Sequence, residues 1–337
     1  MKLASDKRLF LFILFGATGI AFLAMPMIGM KMIFPGDFLE ISGGTSQEYT
    51  IFWKMRLPRV IMAFLSGAIL AISGMVFQAI FRNPLVSPFT LGVSAGASLG
   101  ASIYIWFGLS FTYFSFPGIS LFSFLGAGLS TSIIWLLANM KRKMSVTILL
   151  LAGVAISFSF ASFIMFIQYV SDMNESVRIT RWLMGGLVVF GYKSILSIAP
   201  LAIGGGVLVL YFSRELNLFA VGEEFAIGRG VDTSKTIKIL FFGISAMVGG
   251  VVSVCGPIAF IGIITPHVCR CMTGPDHRYL APCTFLFGGI FLMICDAFAR
   301  TIAAPAEIPV GVITALLGGP FFLWILIRRP QVSDHWI

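Results

Sequence analysis

Cysteine, histidine and buried carboxylate are the groups with which a chain most often does chemistry, and here they are few and poorly spaced for it. Cys255, Cys269, Cys271, Cys283 and Cys295 all fall in the last third and are odd in number. The Cys-Arg-Cys run at 269–271 lacks the spacing of a Cys-x-x-Cys centre and has no second pair beside it, so free thiols are expected. The histidines are His267, His277 and His335, too few and scattered for a metal centre. No HExxH or GxxxxGK[ST] pattern occurs, and no nucleophile-elbow serine is expected. Asp296 is the one acidic residue placed inside a long apolar run, and Arg300 follows it by four residues, so the two can pair along one helix. Bond-breaking chemistry is therefore not indicated.

The elements that hold these residues are set by composition. Of 337 residues 58% are hydrophobic and 11% charged, with mean hydropathy +0.97. A soluble domain carries about 25% charged residues, so too few are present to face water, and lipid is the expected surroundings. The net charge of +9 is spread between apolar runs rather than gathered on one face, which argues against nucleic acid. Apolar runs lie at 9–30, 57–80, 88–107, 115–139, 146–170, 190–212, 236–254, 280–299 and 308–327. Each approaches the roughly 20 residues a helix needs to cross about 30 Å of hydrocarbon. The first run is longer than the usual signal-peptide core and is read as a retained span. The apolar part of the next segment, 257–266, is bounded by prolines and is short for an ordinary crossing. Counting it as a short crossing gives ten spans with both termini cytoplasmic. Eight of the 23 basic residues then lie outside, namely Lys31, Lys54, Arg56, Arg59, Arg178, Arg181, Lys193 and Arg300, and fifteen inside, as the positive-inside bias requires.

Between the sixth and seventh spans sits a polar island, AVGEEFAIGRGVDTSKTIK at 220–238, within an internal loop running from Arg214 to Lys235. Gly222 before Glu223 and Glu224 admits a short helix with an acidic first turn, which the helix dipole favours. Gly228 and Gly230 end it, and Asp232 or Thr233 can cap the helix that follows. Such a piece across the mouth of a bundle is a handle for something beneath it, or else a solvated connector.

Glycines mark close helix approach. Gly92, Gly96 and Gly100 recur on one face, Gly67 and Gly74 lie in the second span, and Gly249 and Gly250 in the seventh. In lipid such faces let backbones pack tightly, and they can also line a path or slide. Residues 65–88 and 242–266 each join a small-residue-rich helix to a proline-bearing break, starting from opposite sides, a weak sign of an inverted repeat. Arg56, Arg59 and Arg300 sit outside, against the positive-inside bias. There they either snorkel to headgroups or present guanidinium forks to carboxylates of an extracytoplasmic partner.

RLPR at 56–59, GAILAISGMVFQAIFRNPLVSPFTLGVSAGASLG at 67–100, LAG at 151–153, RWLMGG at 181–186, ELNLFAVGEEFAIGRGVD at 215–232, GPIAFIGIITPHVCR at 256–270 and IPVGVITALLGGPFFLWIL at 308–326 closely resemble the FecCD-type permeases. These are membrane subunits of ABC importers for ferric siderophores, haem and cobalamin, and the likeness covers nearly the whole chain from about residue 50. It implies an all-α polytopic membrane protein with the type II ABC importer permease fold. That fold is a single transmembrane domain over 1–337, with ten transmembrane helices in inverted repeats and a cytoplasmic coupling loop at 214–235. It implies a homodimer in the cell inner membrane, two copies of a cytoplasmic ATPase that use ATP and Mg, and an extracytoplasmic substrate-binding protein. No cofactor or metal is expected on this chain itself. Arg56, Arg59 and Arg300 match arginines that receive glutamates of the binding protein. Glu223, Glu224, Ala226, Gly228 and Gly230 match the contact with the ATPase.

The cysteines of Cys-Arg-Cys depart from the family pattern. His267 belongs to a family-wide element, so a structural role suits it better than a ligand role. Ferric siderophore is the first expectation for cargo, then haem or cobalamin, with an oxyanion such as molybdate as the alternative. A membrane enzyme is disfavoured by the missing catalytic constellation. An ion-coupled carrier would normally keep a carboxylate near the midplane, and none is evident.

Overall fold

The computed structural model describes residues 7–29, 32, 47–113, 116–139 and 146–328. Lys2, Lys31, Lys141, Arg142, Lys143, Arg329 and His335, and with them both chain ends, lie outside the described residues.

Thirteen helices are described, with one two-stranded hairpin pairing Thr112–Tyr113 with Phe116–Pro117. They are α1 Lys7–Ala24, α2 Gln47–Phe81, α3 Val93–Trp106, α4 Gly118–Asn139, α5 Val146–Val170, α6 Met173–Leu183 and α7 Lys193–Tyr211. There follow α8 Ser213–Val221, α9 Glu223–Gly228, α10 Thr233–Cys255, α11 Ile261–Thr273, α12 His277–Thr301 and α13 Val310–Arg328. Seven, namely α1, α2, α4, α5, α7, α10 and α12, are long and apolar enough to cross a membrane. The runs expected at 88–107 and 308–327 form shorter apolar helices, Val93–Trp106 and Val310–Ile325. The segment near 257–266 becomes the 13-residue α11.

The apolar runs and the helices differ at their ends for local reasons. Residues 83–92 are turns, because Pro84 and Pro88 disfavour helix before them and Ser87 and Thr90 bond to each other's backbone. Gly92 then takes φ +75° to start α3, a conformation open to glycine without penalty. Helix α1 stops at Ala24 because Pro26 cannot continue it. Helix α2 begins earlier than expected, with a wide π-helical turn at Ile51–Arg56. Two carbonyls of that turn are taken by the 191–192 loop: Gly191 N–H donates to Lys54 O at 2.8 Å and Tyr192 OH to Trp53 O at 3.0 Å.

Helix α2 forms the centre, buried over nearly all of residues 58–81, and α12 and α11 are its main company. The contacts are backbone to backbone. A side chain at Gly67 would collide with the Gly288 carbonyl of α12, and one at Gly74 with Gly262 of α11. Gln78 adds polar closure, donating to Gly262 O at 3.1 Å and accepting from Arg270 Nη2 at 3.1 Å. Helices α1 and α5 lie outside, with Phe12, Phe15, Leu23, Phe158 and Met165 exposed as lipid-facing side chains would be.

Candidate functional site

Two polar clusters stand at the two ends of α12. Its 25 residues span roughly 36 Å at 1.5 Å per residue.

At the C-terminal end, Asp296 is fully buried and holds two guanidinium groups. Arg59 Nε donates to Oδ1 at 2.9 Å, and Arg300 Nε lies 3.0 Å from Oδ2 as an ion pair while donating its hydrogen bond to Asp296's own carbonyl at 3.3 Å. Pairing along α12 at the four-residue interval is thus present, and Arg59 of α2 joins it from across the bundle. Arg59 Nη1 also donates to Glu307 Oε2 at 2.6 Å. Glu307 lies in the 302–309 loop and its side chain is 55% exposed, against 13% for Arg59 and 5% for Arg300. Further arginine contacts cap the exit of α1. Arg300 donates to the carbonyls of Ile28 (3.1 Å) and Met25 (3.4 Å), and Arg56 to those of Met27 (3.2 Å) and Pro26 (3.4 Å). All three arginines singled out in the sequence therefore gather at one end, yet they are folded into the protein rather than displayed on it.

At the other end, Asp276 caps α12 and accepts from Arg278 N at 3.1 Å. Asn217, on α8, donates from Nδ2 to Asp276 Oδ1 at 2.8 Å, and its Oδ1 accepts the His277 backbone N–H at 2.8 Å. That same oxygen lies 2.7 Å from His277 Nδ1, so the ring proton sits on Nδ1 and Nε2 is left as an acceptor in the interior. Partial burial pushes the Asp276 carboxyl up, but the Asn217 bond, the Arg278 amide and the Arg278 and Lys7 charges outweigh it and hold it below its ordinary range.

The polar island folds into two short pieces. Helix α9 starts after Gly222 with Glu223 and Glu224 in its first turn, and Gly230 takes φ +82° beyond its end. Asp232 caps α10 by accepting Lys235 N at 3.0 Å. Ala226 is fully buried and anchors the piece, and Glu223 accepts from Thr233 Oγ1 at 3.4 Å. Phe225 and Ile227 are exposed, with the Arg229 guanidinium 5.2 Å over the Phe225 ring. Gly228 has open space around its Cα. Helix α9 thus presents acids and two apolar side chains outward from a buried foot.

The other glycines lie at helix contacts. Gly96 and Gly100 abut the α4 backbone at Gly126 and Phe122, Gly249 faces Ala127 of α4, and Gly250 faces Leu201 of α7. A GxSxG spacing does occur, at Gly92–Gly96, against the expectation of no nucleophile elbow. Ser94 is 3% exposed in the first turn of α3, which follows turns rather than a strand, so the elbow's strand–turn–helix setting is missing. The five cysteines are free thiols, and no cluster of metal ligands occurs among the described residues. His267 packs edge-on to Phe321 at 6.1 Å. The sequence reading missed Asn217, Asp276, His277 and Glu307. Their partners are distant in sequence, and no periodicity marks them.

Comparison with known proteins covers the same ground. The model of the FecCD transport family matches residues 17–328. The hemin transport system permease protein HmuU of Yersinia pestis is 37% identical over 286 residues, 83% of this chain and 84% of that one. The iron(3+)-hydroxamate import system permease protein FhuG of Bacillus subtilis is 30% identical over 335 residues, 97% of this chain and 99% of the other. A solved structure, assigned to the metal-chelate type of ABC transporter and inward-facing, superposes with a TM-score of 0.84 at 29% identity, over 95% of this chain and 99% of that one.

Proposed function

The chain belongs to the FecCD transport family, and on that premise we propose how it works. It is a membrane permease subunit of a metal-chelate ABC importer, and ATP hydrolysis belongs to a separate subunit. The cargo we assign is a ferric siderophore, in line with the hydroxamate relative, with haem the alternative that the hemin relative raises. The permease acts as a homodimer in the inner membrane over two ATPase copies, with both termini cytoplasmic. It is one transmembrane domain of ten helices, made up of the seven long ones and α3, α11 and α13. An inverted repeat is supported by the packing, since α2 meets α11 and α10 meets α3, so each long helix contacts the short helix that follows the other.

The observation that carries the mechanism is that α12 links the two polar clusters, with one at each of its ends. Its cytoplasmic start is gripped by Asn217, on the segment that leads into α9, and its outer end holds Asp296 and Arg300. ATP binding moves the partner against Glu223, Glu224, Phe225 and Ile227, and the coupling loop of 214–235 passes that motion to α12. Lipid-buried backbone keeps its hydrogen bonds throughout, so helices move as rigid bodies. Arg56, Arg59 and Arg300 form the outer docking region for the substrate-binding protein. In a nanodisc-reconstituted complex with its ATPase, ferric-siderophore-loaded binding protein is expected to raise ATP hydrolysis, and Arg56→Glu is expected to abolish that rise. A rise unaffected by Arg56→Glu would reject the docking assignment.

A further inference from the structure

The docking assignment meets a difficulty in the structure. Arg59 already spends two of its donors on carboxylates, Nε on Asp296 and Nη1 on Glu307. An incoming glutamate would be the third acid around a guanidinium whose charge is already answered, and like charges so close repel. Asp296 cannot give way, because it is wholly buried and also pairs with Arg300, so releasing it would strand a charge inside the bundle. Glu307 can. More than half of its side chain is exposed, it pairs with Arg59, and it sits on the loop that leaves α12.

We propose that Glu307 is a resident stand-in for the binding protein's carboxylate, and that docking proceeds by exchange: Glu307 leaves Arg59 Nη1 for water as a partner glutamate takes its place. This rests on the reading of the Arg59 end as the docking region. Exchange keeps a carboxylate on Arg59 Nη1 before and after contact, so that donor is not left without an acceptor while the partner is away. Charge stays balanced, since one carboxylate replaces another. Water gains Glu307 at little cost because that side chain is already largely solvated. Glu307 therefore lowers the resting affinity for any acidic partner and makes release easy once the partner's carboxylate slips off. The same loop continues into α13, so the exchange also frees the start of that helix from Arg59.

The test measures binding of the purified cognate substrate-binding protein to the full permease–ATPase complex in nanodiscs. Wild type is compared with Glu307→Gln, Arg59→Gln and the double variant. Removing an exposed competitor should tighten the dissociation constant by about two- to five-fold for Glu307→Gln. Arg59→Gln should weaken binding, and in its background Glu307→Gln should have no further effect, which a double-mutant cycle reports as coupling. The conservative Glu307→Asp, with a shorter reach to Arg59, should fall between wild type and Glu307→Gln. Glu307→Gln that leaves binding unchanged or weakens it, while Arg56 and Arg59 variants still weaken docking, overturns the exchange alone. Unchanged binding in the Arg56 and Arg59 variants overturns the docking reading beneath it.

Discussion

Asn217 and His277 belong to different helices, yet a single oxygen joins them: Asn217 Oδ1 accepts the His277 backbone N–H at 2.8 Å and its ring Nδ1–H at 2.7 Å. With the Asn217 bond to Asp276, the start of α12 is held by one side chain of α8. Removing an acceptor that serves two donors of the buried His277 is costly, roughly 1–3 kcal/mol when they are left unsatisfied.

Asn217→Ala should therefore lower the number of cargo molecules transported per ATP hydrolysed in proteoliposomes. Asn217→Asp should do so as well, because it sets a second carboxylate against Asp276. Adding Asp276→Asn to Asn217→Asp restores a donor–acceptor match and should recover the ratio. A ratio that stays at the wild-type value in all three variants would show that α8 does not pull on α12.

The Arg59–Asp296–Arg300 group should be a structural fastening. Asp296→Asn leaves two guanidiniums short of a charge, and breaking such a buried pairing costs about 3–5 kcal/mol. Glu307→Gln at the exposed edge should cost under about 1 kcal/mol. Denaturant unfolding of the two variants in the same detergent checks this, and equal losses would contradict the buried fastening.

Gly74 and Gly204 provide a matched pair. A methyl at Gly74 would land on the Gly262 backbone, whereas nothing lies within 4 Å of one at Gly204. Overpacking of this kind costs about 1–3 kcal/mol, so Gly74→Ala should lower the unfolding midpoint and Gly204→Ala should not. Equal stability of the two variants would mean that α2 and α11 do not meet so closely in the membrane.

Acid should loosen the joint at the start of α12. The Asp276 carboxyl is held below its ordinary value of 3.8, so its contribution is present above that pH and disappears as pH falls through the lower folded-state value. Asp276→Asn lacks this dependence. The stability gap between wild type and Asp276→Asn should be constant from pH 7 to pH 5 and close below about pH 4. A gap that widens on acidification would reverse the sign assigned to this group.

Much of the bundle was legible because lipid demands long apolar runs, and caps and breaks act within a few residues. Asp232 capping α10, Gly230 beyond α9 and the Asp296–Arg300 interval are all local signals. Helix starts were less legible where proline and glycine sit inside an apolar stretch, as between Pro84 and Gly92 before α3. The contacts that assemble the two clusters were not legible at all. Arg59 meets Asp296 across 237 positions and Glu307 across 248, and Asn217 meets His277 across 60. Nothing in local pattern registers a pairing set by how helices cross.

The account turns on an outside engine acting through the segment 214–235. Uptake of iron-loaded siderophore into proteoliposomes holding this permease, with the binding protein outside and the ATPase present or omitted, tests it most directly. Uptake should require both the ATPase and ATP, and fall to background when Glu223 and Glu224 are both replaced by lysine. Uptake that continues without the ATPase, driven by a proton or sodium gradient, would contradict it.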